Sequence, residues 1–215
     1  MLQLKRSLIS ELFKYNFSMK KIVLFFLVLY STTSFSQYYI DAELHFLDGT
    51  VKTGLAHINI SNDKIKFKKN KETKRISYNH KNIARLILKK DSIQKEFRYK
   101  KAKGRRAPRL LELILEHENL SLYAQIVETE LYGLIGAILK VPNKFTYTYY
   151  IVKKDSNDAI YFGDTDLTGH RRFKEITKKH LLDCPELIGK IKNKEYKIED
   201  ALKVVTHYNE KCYKI

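Results

Sequence analysis

At about Thr168 the apolar residues of this chain stop recurring at every second position and begin to recur every third or fourth. Successive side chains of a strand point to opposite faces, whereas a helix gathers positions i, i+3 and i+4 onto one stripe. The chain therefore divides into a β-rich region, residues 37–166, and a helical one, residues 167–215. The order of strands first and helices second predicts an α+β fold. We expect a small antiparallel β barrel, roll or sandwich followed by a short C-terminal helical subdomain.

Within the β-rich region the runs are short and separated by turn residues. Residues 42–47 and 51–58 flank Asp48-Gly49, a two-residue hairpin signal. Lys64-Ile65-Lys66-Phe67-Lys68 alternates with its apolar pair inward, and 75–78 and 83–88 continue in kind. Residues 99–109 (YKKAKGRRAPR) carry too much charge for a core and contain Gly104 and Pro108, so they read as an exposed basic loop. Residues 110–115 and 120–126 form a hairpin around Glu116 to Asn119, and 145–152 turns into 159–162. The stretch 127–144 fits a helix, a strand or a packed loop equally.

Residues 19–36 (MKKIVLFFLVLYSTTSFS) have the order of a secretory signal. Lys20 and Lys21 precede a nine-residue apolar run, and Ser34 and Ser36 set small side chains at the −3 and −1 positions before Gln37. A helix needs roughly 20 apolar residues to cross a bilayer, so no retained transmembrane segment is expected. Residues 1–18 read as an N-terminal extension ahead of a true start at Met19. With no Cys after the cleavage site, a lipoprotein anchor is not indicated. The expected location is exported: periplasm, cell surface or extracellular.

The net charge is +17, and it is concentrated. Residues 64–109 hold 19 basic residues against Glu72, Asp91 and Glu96. Such a segment attracts polyanions by counterion release. For an exported chain these are anionic polysaccharide, lipopolysaccharide or lipid head groups, and export speaks against nucleic acid. Lys100, Lys101, Lys103, Arg105, Arg106 and Arg109 are the expected contacts. The simpler reading is lysine on solvated strand faces, because only 9 of the 41 basic residues are the better phosphate fork, Arg.

In the helical region Phe173, Ile176, Thr177, His180 and Leu181 share one stripe. Pro185 sits where a first-turn proline costs no hydrogen bond. A last helix carries Ile198, Ala201, Leu202, Val205, Tyr208 and Cys212 on its apolar side. Cys184 and Cys212 are the two cysteines of the chain. In an oxidising compartment an even pair predicts a disulfide. It would close a loop of about 29 residues and contribute about 3–4 kcal/mol through loop-closure entropy. The alternative, a thiol–imidazole nucleophile of Cys184 with His180, is disfavoured by the second cysteine.

The residues Leu181-Leu182-Asp183-Cys184-Pro185-Glu186-Leu187, then 198–202, then His207-Tyr208-Asn209-Glu210-Lys211-Cys212 carry a resemblance. This end resembles exported Bacteroidota-type proteins of unknown function with a β-rich region and a "DCP…YN-x-x-C" helical end. Some such proteins continue into an outer-membrane β-barrel that this sequence lacks. The resemblance implies a periplasmic or surface module with a paired-cysteine helical end, and it carries no activity or catalytic residue.

One further spacing stands out. From Asp164, oxygens fall at Asp164, Asp166 and Thr168, with Gly169 sixth and Glu175 twelfth, as in a calcium-binding EF-hand loop. A strand enters this loop rather than a helix, and His170, Arg171 and Arg172 bring positive charge to it, so capping of the following helix is the simpler role. His117 between Glu116 and Glu118 reads as a hairpin-end polar group, since strand neighbours face opposite ways. No HExxH, P-loop or GxSxG pattern occurs, and no cofactor is expected. Together these point to a non-enzymatic module for binding or assembly at the cell envelope. A polyanion binder using 64–109 is the first alternative and an uncharacterised envelope enzyme the second.

Overall fold

The computed structural model describes residues 39–128, 145–154, 156, 158–165 and 169–212. The signal segment, the extension before it and most of the ambiguous stretch lie outside them. Ten strands follow in order: β1 (Ile40–Phe46), β2 (Val51–Asn59), β3 (Lys64–Lys68), β4 (Ile76–Tyr78), β5 (Ile83–Lys90), β6 (Ile93–Ala102), β7 (Arg109–Leu115), β8 (Leu120–Glu128), β9 (Phe145–Lys153) and β10 (Asp158–Asp164). The helices are α1 (Gly169–His180), α2 (Pro185–Lys192) and α3 (Ala201–His207). A 3-10 turn (Ile198–Asp200) precedes α3, and a π-helical turn (Tyr208–Cys212) follows it. The fold is α+β, a β-rich body with a helical end.

The strands form one sheet in the order β10-β9-β8-β7-β6-β5-β1-β2-β3-β4, antiparallel between sequence neighbours. A second, parallel pairing of β10 with β6, Asp158 against Lys101 and Ala159 against Ala102, closes β6 to β10 into a ring. β6 is shared by both halves. Its first part pairs with β5, its second part with β7, and its last residues with β10.

β6 lies where the sequence shows no strand pattern, and its last residues, Tyr99 to Ala102, belong to the strand rather than to the expected basic loop. The strand hides because Gln94, Lys95, Glu96, Arg98, Lys100 and Lys101 give it no apolar alternation. Ion pairs within the strand and to residues of β7 and its following turn hold it instead. Lys95 meets Glu112 at 2.8 Å, and Arg98 bonds Glu96 and Glu116, each at 2.5 Å. The loop itself is only Lys103 to Pro108, since Ala102 is buried in the ring. The first hairpin is also longer than a two-residue turn. Phe46 N–H donates to Thr50 C=O at 2.8 Å, and Asp48 Oδ1 accepts from Thr50 N and Oγ1.

The sheet buries three apolar groups. Ala42, Leu44, Ile65, Phe67, Ile83 and Leu86 form the core of the β1–β5 half. Ala102, Leu111, Tyr123, Tyr150, Val152 and Ala159 form a second cluster on β6–β10. On β8 and β9 the alternate positions Leu120, Leu122 and Ile151 join Phe162 in receiving the helices. Both faces of these strands are therefore covered, and Ser121, Gln125 and Thr146 are buried along with their apolar neighbours.

The helical end is not a separate appendage. Phe173 and Thr177 of α1 are buried as the stripe requires, and Leu181, Leu187, Ile191, Ile198, Val204 and Val205 complete the same core as the strands. The Phe162 and Phe173 rings meet edge to face at 5.0 Å. Leu202, expected on the apolar side, is 48% exposed, and Val204 takes the buried position. Ile198, Ala201, Val205 and Tyr208 are buried as expected, so the stripe holds and only its edge moves from Leu202 to Val204.

The β2–β3 turn locks the two halves together. Asp63 adopts a left-handed conformation, φ 51°. Its carbonyl accepts from the Tyr99 hydroxyl at 2.6 Å, and its carboxylate accepts from Leu110 N–H at 3.2 Å and lies 3.6 Å from Arg109. Burial, with the Asp63 charge beside it, pushes the Tyr99 phenol well above its ordinary range. Asp63→Ala is expected to lower stability by about 1–3 kcal/mol through the lost acceptors, read from urea unfolding. Asp63→Asn, which tolerates the left-handed backbone and keeps an acceptor, should recover most of that loss.

Candidate functional site

The charge of the basic segment is only partly cancelled. Glu43 on β1 pairs with Lys89, Glu112 with Lys95, Glu96 and Glu116 with Arg98, and Asp63 with Arg109. The acids come largely from outside 64–109, which the linear sequence does not reveal. Among the described residues, the exposed Lys69, Lys71, Lys74 and Arg75 between β3 and β4 meet no carboxylate within ion-pair distance, and neither do Lys101, Lys103, Arg105 and Arg106.

The six polyanion residues expected from sequence fall into two groups. Lys101, Lys103, Arg105 and Arg106 are exposed in or beside the β6–β7 loop. Lys100 and Arg109 are engaged in the fold. Lys100 Nζ lies 5.4 Å from the Tyr123 ring centre, and burial lowers its pKa, aided by the Arg98 charge. Arg109 is held by Asp63 and donates to the Tyr150 hydroxyl at 3.4 Å.

A groove on the β1–β5 half combines charge with apolar surface. It has a volume of about 480 Å³ and is lined by Lys52, Lys69 and Lys74, by Phe67, Ile76 and Tyr78, and by Thr53 and Thr73. Tyr78 meets Phe46 edge to face at 5.1 Å, and Lys52 Nζ stands 4.8 Å from the Phe46 ring centre. Ile76 is 54% exposed, an apolar side chain left open among cations. The loop that carries Lys69 and Lys74 is tied to itself. Asn70 Oδ1 accepts from Thr73 N–H at 2.9 Å and Glu72 N–H at 3.2 Å, and Thr73 Oγ1 donates to Asn70 C=O.

Gly54 sets how closely β3 packs beside β2, next to the groove. A Cβ there would lie 2.3 Å from Lys68 O and 2.7 Å from the Phe67 ring, so only glycine lets β3 and Phe67 come this close. A second hollow of about 480 Å³ adjoins, sharing Thr53 and Lys69, with Lys71 and the Glu43–Lys89 pair along it. Lys69 and Lys74 belong to the basic run expected from the sequence, whereas Lys52, Phe67, Ile76 and Tyr78 are not recognisable there as a group. The available signal was the exposed-strand pattern of Ile76 and Tyr78 beside so many lysines.

Cys184 and Cys212 form a disulfide, with Cα atoms 5.2 Å apart, and leave no free thiol among the described residues for His180 to activate. Of the calcium set, Asp166 and Thr168 lie outside the described residues. Asp164 accepts from the Tyr161 hydroxyl, and exposed Glu175 pairs along its helix with Arg171 at 3.3 Å. Both described acids are thus occupied by protein groups. His117 is a hairpin-end polar group: its Nδ1 accepts from Asn119 N–H and its carbonyl from Ser121 Oγ.

No helix among the described residues is long and apolar enough to cross a membrane. Comparison of the chain with known protein families, curated proteins and solved structures finds no match.

Proposed function

We propose that this chain is a non-enzymatic binding module of the cell envelope whose basic half holds an anionic ligand. The observation that carries the reading is the groove in which Lys52, Lys69 and Lys74 surround Phe67, Ile76 and Tyr78. Phosphates or carboxylates answer the lysines, and an apolar portion answers the open Ile76 and the aromatic rings. A ligand carrying both, such as a lipopolysaccharide, suits the lining better than a polymer that is charged throughout. The envelope location is part of the proposal and rests on the signal-like segment 19–36 and on the family resemblance of the helical end.

The test is binding of lipopolysaccharide micelles to the chain beginning at Gln37, followed across a salt series. Affinity should fall steeply as salt rises, because ion release drives the charged contacts. Lys69→Glu with Lys74→Glu should weaken binding at least tenfold, about 1.4 kcal/mol or more, without moving the unfolding midpoint. Arg105→Glu with Arg106→Glu should do much less. If the second pair abolishes binding and the first does not, the loop is the site and the groove reading fails. Heparin bound as tightly as the micelles would show that charge alone is recognised.

A further inference from the structure

Among the described residues, one trio of metal-ligating side chains converges: the sulfurs of Cys184 and Cys212 and a ring nitrogen of His207 lie within 4.8 Å of one another. In the oxidised chain the sulfurs are bonded to each other. His207 has no part in that bond, yet only 12% of its side chain is exposed and its Nε2 has no hydrogen-bond partner. Glu186 Oε1 stands 3.7 Å from Nε2, and the Tyr196 ring meets the imidazole edge to face at 6.0 Å. An enclosed polar nitrogen that makes no hydrogen bond, with only a carboxylate at 3.7 Å beside it, is a cost to the fold, and a structural bridge gives no reason for it.

Helical geometry supplies a second observation. Residues five apart in an α-helix lie about 140° apart around the axis, so His207 and Cys212 would face different ways. The stretch Tyr208–Cys212 is wound instead as a π-helix. The wider turn brings residues five apart to nearly the same side, and such turns concentrate at functional sites. Both side chains therefore reach Cys184, which immediately precedes α2.

We propose that Cys184, Cys212 and His207 form a redox-gated site for a thiophilic divalent cation such as Zn²⁺. A dithiol reductant opens the gate: the protein S–S bond breaks, two thiols form, and the reductant is oxidised to its own disulfide. The cation then displaces the two thiol protons and is held by two thiolates and the imidazole, with no change in its oxidation state. The fourth position falls to water or to Glu186, whose carboxylate already faces His207. Thiolates and imidazole are the donors that zinc prefers. The sulfurs need only move from bonding distance, about 2.0 Å, to about 3.8 Å across an ion with Zn–S bonds of 2.3 Å.

The surroundings permit that movement. Cys212 is half-buried whereas Cys184 is 2% exposed, so it is the end of the bridge from which a dithiol would approach. The helices are held against the sheet by Phe173, Leu181, Leu187, Ile191 and Val204 as well as by the bridge.

The experiment uses the chain from Gln37 to its end, reduced with a phosphine and titrated with Co²⁺ as a spectroscopic stand-in for Zn²⁺. One equivalent should produce thiolate-to-metal charge-transfer absorption, which Zn²⁺ then abolishes. The oxidised protein should show none, His207→Gln should bind at least tenfold more weakly, and Cys212→Ser should lose the thiolate signal. Circular dichroism of the reduced, metal-free protein reports whether the helical end stays folded. Absence of the band in folded reduced protein overturns the proposal, as does His207→Gln binding as tightly as the parent. Unfolding of the helices on reduction overturns it equally, because no preformed site then remains.

Discussion

Phe173→Ala should destabilise this protein by about 3–5 kcal/mol and should do so without splitting its unfolding into two steps. Phe173 is 1% exposed and packs edge to face on Phe162 of β10, inside a core that also includes Leu122, Ile151, Leu187 and Val204. Truncation removes the ring's transfer energy and leaves a cavity that strands and helices share, so both lose support together. The 15 tyrosines, with no tryptophan, give a fluorescence probe weighted toward the strands, while far-ultraviolet circular dichroism at 222 nm reports the helices. The two probes should trace one transition in parent and variant alike. A helical signal lost at lower denaturant than the tyrosine signal would show that the helical end is an independent unit after all.

Removing the Cys184–Cys212 bridge comes next in size. The sequence separation is 28 residues, and loop-closure entropy puts the loss at about 3–4 kcal/mol for Cys184→Ser with Cys212→Ser. A domain of this size is ordinarily stable by 5–15 kcal/mol, so the variant should remain folded at 25 °C with a lower midpoint. Were the helices a free appendage, the same change would unfold them alone. Because they complete the core of β8 to β10, the loss should instead fall on the whole chain. Urea unfolding with and without reductant measures both quantities. A loss below about 1 kcal/mol would mean that the unfolded chain gains little freedom from the missing bond.

Much of this architecture is legible in the residues. Alternation marks β3 because Ile65 and Phe67 are buried while its lysines are not, and Pro185 announces the start of α2. The pairing of Cys184 with Cys212 follows from two cysteines in a chain that begins with an export-like segment. β6 is illegible for an electrostatic reason. Its side chains are satisfied by partners elsewhere in the chain, Glu112 on β7 and Glu116 just beyond it among them, and a single strand does not display its partners. The groove is illegible for a topological one, because Lys52 on β2, Phe67 on β3 and Tyr78 on β4 come together only through strand pairing.

The boundary between sequence and structure falls where local periodicity stops carrying information. Residue order alone determined where the period changes from strand to helix, which charges accumulate between 64 and 109, and which two sulfurs could meet. Tertiary structure decided that β10 returns to β6 and closes the ring, that five acid–base pairs neutralise part of the basic segment, and that Lys52 joins Lys69 and Lys74 over an apolar lining. It also decided that His207 stands beside the bridge. A 3.6-residue period places His207 and Cys212 on different sides of the helix, and only a π-helical turn, with more residues in each revolution, brings them to one.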